Sequence, residues 1–321
     1  MNDSGVVLPG TIALFKEAWA LCKERWKTLW GIAAITVFTP YLVGFIVGFI
    51  IGLSHATFNA NSLITPLFII PLTLVNLIVY TWSSGAFFFA VRKEEKLTVG
   101  QSYKKAAEKF FSLLWVEILV FFITIGSLFL FIIPGIIFGI WFVFSMVIVI
   151  NEDGKGFGAM FRSREYIRGK IGAVFGRYFL FGVLVALCVY VPITIITTVL
   201  VYTLAPAVVN ISPLALEQMT RPYVSSLISL LVLPVSYAFI YVLYVHVKNT
   251  YSGTMPTVGT GKKIFFLLLG LVGWIIGIIL VIAAFTALMY ALSKAKSNMY
   301  YNQIPTTTIY ETGTTTPTLP Q

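Results

Sequence analysis

The sequence predicts an all-α protein: a polytopic transmembrane helical bundle built from repeated amphipathic helices and apolar hairpins. Three observations carry this reading. Apolar residues make up 58% of the 321 and charged residues only 11%, where a soluble domain carries about 25% charged residues. Seven apolar runs are each long enough to cross a hydrocarbon layer of about 30 Å, which takes about 20 helical residues. The basic residues fall almost entirely in the segments between alternate runs. Lipid-facing helix walls need such a composition, because lipid tails solvate them and nothing else has to cover them.

The first element is a basic amphipathic segment. Ile12, Phe15, Trp19, Cys22, Trp26 and Leu29 recur at steps of three and four, with Lys16, Glu17, Lys23, Glu24 and Lys27 on the other faces. That period predicts a helix with one apolar stripe. The first span follows near 30–53 and the second near 66–91. Gly44, Gly48 and Gly52 form two successive Gly-x-x-x-Gly steps in the first span, a spacing that lets helix backbones approach closely. Pro40, Pro66 and Pro71 interrupt these spans, and neighbouring helices and hydroxyl side chains can satisfy the carbonyls they free.

A second amphipathic segment sets Val99, Tyr103, Ala106, Phe110 and Leu113 against Gln101, Lys104, Lys105, Glu108 and Lys109. The third and fourth spans lie near 111–133 and 135–151, separated by the turn signal Pro134-Gly135. A tight helical hairpin is the reading; one long broken helix is its rival. A third amphipathic segment runs through Phe157, Met160, Arg164, Ile167, Ile171 and Val174. Spans near 174–203 and 223–247 follow. Three copies of amphipathic helix plus hairpin therefore make a six-span domain over 1–263. A seventh span near 264–292 carries Gly273 and Gly277 at packing spacing, and a disordered Thr/Pro-rich tail occupies 293–321. Each amphipathic stripe can lie in the head-group layer, with its lysines facing phosphates, or dock on the bundle; both uses stay open.

Of the 22 Lys and Arg, only Arg221, Lys294 and Lys296 fall on the side of the odd loops. The positive-inside rule therefore predicts a cytoplasmic N-terminus and an outer C-terminus in a cell membrane. The net charge of +10 points to anionic lipid heads as partners, not to nucleic acid. Cys22 and Cys188 rule out a disulfide framework, and His55 and His246 flank no carboxylate cluster, so no metal site, cofactor or catalytic residue is expected. Met1–Gly10 is neither basic nor long enough for a signal peptide. Two charges break local rules. Glu117 lies about two turns inside the third span, and Arg164 sits on an apolar stripe. An ion pair between them would compensate both; independent snorkelling to the interface is the alternative.

The third unit reads Phe131-Ile-Ile-Pro-Gly-Ile-Ile-Phe-Gly-Ile-Trp141, then Val147-Ile-Val-Ile-Asn-Glu-Asp-Gly-Lys-Gly156 and Ala159-Met-Phe-Arg-Ser-Arg-Glu-Tyr-Ile-Arg-Gly169. It resembles a group of prokaryotic six-span proteins that includes the membrane domain found beside some glycerophosphodiester phosphodiesterases. Pro134, Gly135, Glu152, Gly154, Ala159, Ser163, Arg164 and Gly169 carry the resemblance, while Met160 stands where the pattern has Leu. The resemblance implies a fold and a membrane location and no reaction. The His-Arg-Gly start and Glu-containing metal site of the phosphodiesterase domain are missing here.

The expected function is non-enzymatic: organising, sensing or handling lipid at the cytoplasmic membrane, with membrane lipids as partners and with homo-oligomers or other membrane proteins possible through the glycine faces. The alternative is a transporter or permease for an apolar or amphiphilic substrate, and a lipid-modifying enzyme stands last, for want of a His/Asp/Glu cluster.

Overall fold

The computed structural model describes residues 8–53, 64–208, 212–253 and 259–303, with side chains placed except at 50–53, 64–69, 204–208 and 297–303. All the regular structure in these residues is helical. The order is α1 (Thr11–Glu24), α2 (Trp26–Leu53), α3 (Ile64–Val91), α4 (Val99–Leu130), α5 (Ile132–Trp141), α6 (Ser145–Asn151), α7 (Phe157–Ile167), α8 (Ile171–Val185), α9 (Val191–Val208), α10 (Pro213–Asn249) and α11 (Thr260–Gln303). Seven stretches are long and apolar enough to cross a membrane: Trp26–Phe49, Ile70–Val91, Val99–Leu130, Ile132–Asn151, Ile171–Thr203, Pro213–Asn249 and Thr260–Lys296. This is the architecture of a multi-pass membrane protein, and the seven are the runs expected from the sequence.

The elements depart from expectation where local chemistry decides them. The second amphipathic segment is not a separate helix. A capping box at Thr98 and Gln101 starts α4, which runs unbroken to Leu130. Its 32 residues span about 48 Å, so its lysine-bearing turns extend past a hydrocarbon core of about 30 Å. The reversal into α5 falls on Phe131, the one extended residue between the helices (φ −152°, ψ 133°), and not on Pro134-Gly135. Pro134 sits in the first turn of α5, where a missing N–H costs nothing. Gly135 supplies closeness instead: a Cβ there would lie 2.7 Å from the Leu128 Cα.

The fourth span is itself broken, into α5 and α6. Ser163 bridges the break, its Oγ donating to the Trp141 carbonyl (2.6 Å) and accepting from the Phe144 N–H (3.2 Å). A π turn at Ala186–Tyr190 joins α8 to α9, with the Val191 N–H reaching the Ala186 carbonyl. Pro192 follows directly and has no N–H to give Cys188, which explains the local change of hydrogen-bond register. Residues 213–222, expected as an outer loop, are the start of α10. Residues 293–303, expected as disordered tail, continue α11 as helix; 304–321 lie outside the described residues, as do 54–63 of the outer loop expected near 54–65, whose last two residues open α3.

Aromatic stacking ties the core together. Phe181 lies flat on Phe239 at 4.1 Å and Phe87 on Tyr237 at 4.4 Å, joining α8, α10 and α3. The first amphipathic helix docks by part of the expected stripe, Cys22 and Phe15, together with Leu14, Ala18 and Leu21 beside it. Leu14, Ala18, Leu21 and Cys22 are buried, while Ile12 (67% exposed), Trp19 and Trp26 (57% exposed) face outward. Helix α1 therefore carries two apolar strips, one against α8 and α10 and one free.

Candidate functional site

The basic segments converge on one end of the bundle. Lys93 pairs with Glu17 (2.9 Å) and Lys96 with Glu24 (2.7 Å), while His246 Nε2 meets Glu17 at 2.8 Å. Lys105 pairs with Glu95 and Lys109 with Asp153. These contacts bring α1, the α3–α4 connection, the α6–α7 turn and the end of α10 together. Exposed pairs of this kind contribute about 0–1 kcal/mol each, so their main effect is to hold geometry. Burial alone would raise the Glu17 carboxyl, but hydrogen bonds from His246 and Lys93 outweigh it and leave it below the ordinary range. Arg25, 7% exposed, donates from Nη1 to the carbonyls of Ala90 (2.8 Å) and Glu95 (2.6 Å). A guanidinium on the Ala90 carbonyl, in the last turn of α3, also suits the negative end of the helix dipole.

Glu152 is the centre of this end. It accepts from the hydroxyls of Tyr244 (2.5 Å) and Tyr166 (2.8 Å) and pairs with Lys248 (3.0 Å). Its burial raises the carboxyl; the bonds from Tyr244, Lys248 and Tyr166 lower it further than burial raises it. Burial and the neighbouring Glu152 charge push the Tyr166 phenol well up, so it stays a donor. The arrangement locks the α6–α7 turn onto α10.

Beside this hub lies an aromatic cavity of about 390 Å³ between α5, α7 and the start of α11, lined by Trp141, Arg164, Lys262, Phe138, Phe265 and Phe266. The Arg164 guanidinium lies over the Trp141 ring at 4.7 Å, a cation–π geometry that holds it at the wall. Its nearest acid, Glu165, is 4.0 Å away and is also 3.5 Å from Arg168, so Arg164 is loosely compensated. Lys262 makes no ion pair among the described residues. Phe265 also lines a wholly apolar cleft of about 350 Å³ between the α4–α5 turn and α11, reaching Leu130, Pro134 and Val272. From Lys262 to Val272 the helical rise is about 15 Å, half of a hydrocarbon core.

No protein-family model, curated protein or solved structure matches this chain. The chemistry of the cavity is therefore what a functional reading rests on.

The structure separates the two charges the sequence proposed as partners. Glu117 accepts from Thr81 Oγ1 at 2.5 Å, and Arg164 goes to Trp141 and Glu165 instead. The physical reason is that each found a nearer partner: a hydroxyl one helix away and an aromatic face across the α5–α6 break. The glycines also divide. Gly273 and Gly277 lie against Gly126 and Phe129 of α4, whereas a Cβ at Gly44 or Gly48 would meet nothing within 4 Å. Among the described residues no close helix contact forms at Gly44 or Gly48, and the surroundings of Gly52 lie outside the described residues. Sequence reasoning missed Lys262 as a wall of a cavity. Its place one turn before Phe265-Phe266 was the only signal.

Proposed function

We propose that the protein binds an anionic phospholipid, its head between Arg164 and Lys262 and one acyl chain in the apolar cleft along α11. The observation that carries this reading is the cavity with two under-compensated cations that shares Phe265 with an apolar cleft, the two together extending about one leaflet from Lys262 to Val272. Arg164 offers a planar fork for phosphate oxygens, Lys262 a mobile point charge, and Phe138, Phe265 and Phe266 a dry passage to the chain. Such a site belongs to a non-enzymatic protein that organises, senses or handles lipid, with the basic end at the cytoplasmic face of a cell membrane. The likeness of residues 130–180 to the phosphodiesterase-associated membrane proteins fits this proposal. So does the free strip running from α1 into the first turn of α2, where Ile12, Trp19 and Trp26 stand beside Lys16, Lys23 and Lys27 as an interfacial face.

The test is lipid retention. Purified wild-type protein, delipidated and returned to nanodiscs of mixed anionic and zwitterionic lipid, should retain anionic phospholipid in native mass spectrometry. The double variant Arg164→Gln/Lys262→Gln should lose most of it, with Lys104→Gln/Lys155→Gln, at two exposed lysines, as a charge-matched control. Equal retention by the double variant and the control would refute the site.

A transporter for an amphiphile is the second reading. It is favoured by a further cavity of about 370 Å³ between α9 and α10, lined by Thr194, Thr197, Thr220, Glu217 and Arg221, in the half of α10 away from the basic end.

A further inference from the structure

We propose that a separate cavity around Glu117 is a binding site for an organic cation: an amine or quaternary ammonium on an apolar body. The cavity measures about 270 Å³ and is walled by Glu117, Tyr80, Ser84, Phe88, Tyr178 and Tyr237 among others. It shares no lining residue with the Arg164–Lys262 cavity, so it stands or falls independently of that site.

Charge is the first argument. Glu117 is the only charged residue among the walls. Its polar contact is the Thr81 hydroxyl on Oε2, and it makes no ion pair among the described residues. Glu17, Glu24, Glu95, Glu152 and Asp153 at the basic end each have a Lys, Arg or His beside them. The helical rise puts Glu117 about 12 Å along α4 from Lys109, inside the apolar layer. A carboxylate there is expensive unless paired, and a cationic ligand supplies the missing charge.

Shape and ring chemistry narrow the class. Three tyrosines and a phenylalanine line it, and aromatic rings attract cations. Tyr237 is held at the back by stacking on Phe87 at 4.4 Å and by an edge contact with Phe88 at 5.0 Å. Tyr80 (48% exposed) and Tyr178 (44% exposed) flank the opening. Both lie on candidate spans, α3 and α8, which would let an amphiphilic cation enter from the bilayer side. Hard metal ions need six or more oxygens, and no group of three or more His, Cys, Asp or Glu stands together among the described residues. An anion would be repelled by Glu117.

The full-length protein in nanodiscs of zwitterionic lipid should bind benzyltrimethylammonium saturably, read by titration calorimetry. Glu117→Gln should weaken binding about tenfold or more, and Glu117→Asp should retain most of it. Tyr80→Leu, at the opening, should weaken binding about threefold or more. Arg164→Gln should leave affinity unchanged. No saturable binding by the wild type, or wild-type affinity in Glu117→Gln, overturns the proposal. Should Glu117→Gln fail to fold, Tyr80→Leu decides: unchanged affinity there overturns it too.

Discussion

Gly273 on α11 meets Gly126 on α4 so closely that a Cβ on Gly273 would lie 1.7 Å from the Gly126 carbonyl oxygen. Backbone touches backbone, and no flexible side chain can move aside. Trp274 adds a hydrogen bond from Nε1 to the Phe122 carbonyl at 3.1 Å. These contacts fasten α11 to the bundle and hold one wall of the apolar cleft.

Gly273→Val should lower stability by about 1–3 kcal/mol, the usual cost of overpacking. Gly44→Ala, in open space, should change it by less than about 0.5 kcal/mol. Thermal unfolding in one detergent compares them; equal effects would mean α11 is not docked as described.

The docking face of α1 is testable by the same measurement. Leu14 is fully buried and Ile12 mostly exposed. Leu14→Ala should cost about 2–5 kcal/mol, while Ile12→Ala should cost little in detergent. A reversed order would make the strip of Ile12 and Trp19 the buried one.

Glu152 should make stability depend on acid. Its folded carboxyl titrates below its ordinary value, so the stability it contributes is complete above the ordinary carboxylate range. That stability is lost as pH falls from there through the lowered pKa. Glu152→Gln should destabilise the protein at neutral pH by about 1–3 kcal/mol and flatten the acid limb of a stability–pH profile. Glu17 contributes in the same direction, so some slope should persist; an unchanged limb would count against the Glu152 hub.

Glu117 and Arg164 should behave as strangers. With no shared partner, Glu117→Gln and Arg164→Gln should be additive within about 0.5 kcal/mol in a double-mutant cycle. Coupling well beyond that would revive the ion pair.

The orientation proposed from charge can be read by thiol labelling in intact cells. Cys188→Ser gives the background, because burial pushes the Cys22 thiol up to about 12 and leaves it unreactive. A cysteine at Ser212 should react with an impermeant reagent, and one at the exposed Ala107 should not. The opposite pattern would invert the topology.

The sequence by itself determined the class: a helical protein with seven apolar spans and its basic residues gathered between alternate ones. Apolar length and charge placement are local properties, and the physics of lipid as solvent reads them directly. It also singled out Glu117 and Arg164 as misplaced, because a charge on an apolar stripe is anomalous in any fold. What they touch was beyond it. Thr81 and Trp141 became their partners through the approach of α3 to α4 and the break between α5 and α6. The sequence marked Ile12 and Trp19 as the stripe of α1, yet Leu14 and Ala18 are buried, because a helix with apolar residues on two sides carries no local signal of which side has a neighbour. Only the tertiary structure set Lys262 and Arg164 in one cavity and left Glu117 without a cation among the described residues, since both facts depend on which distant helices meet.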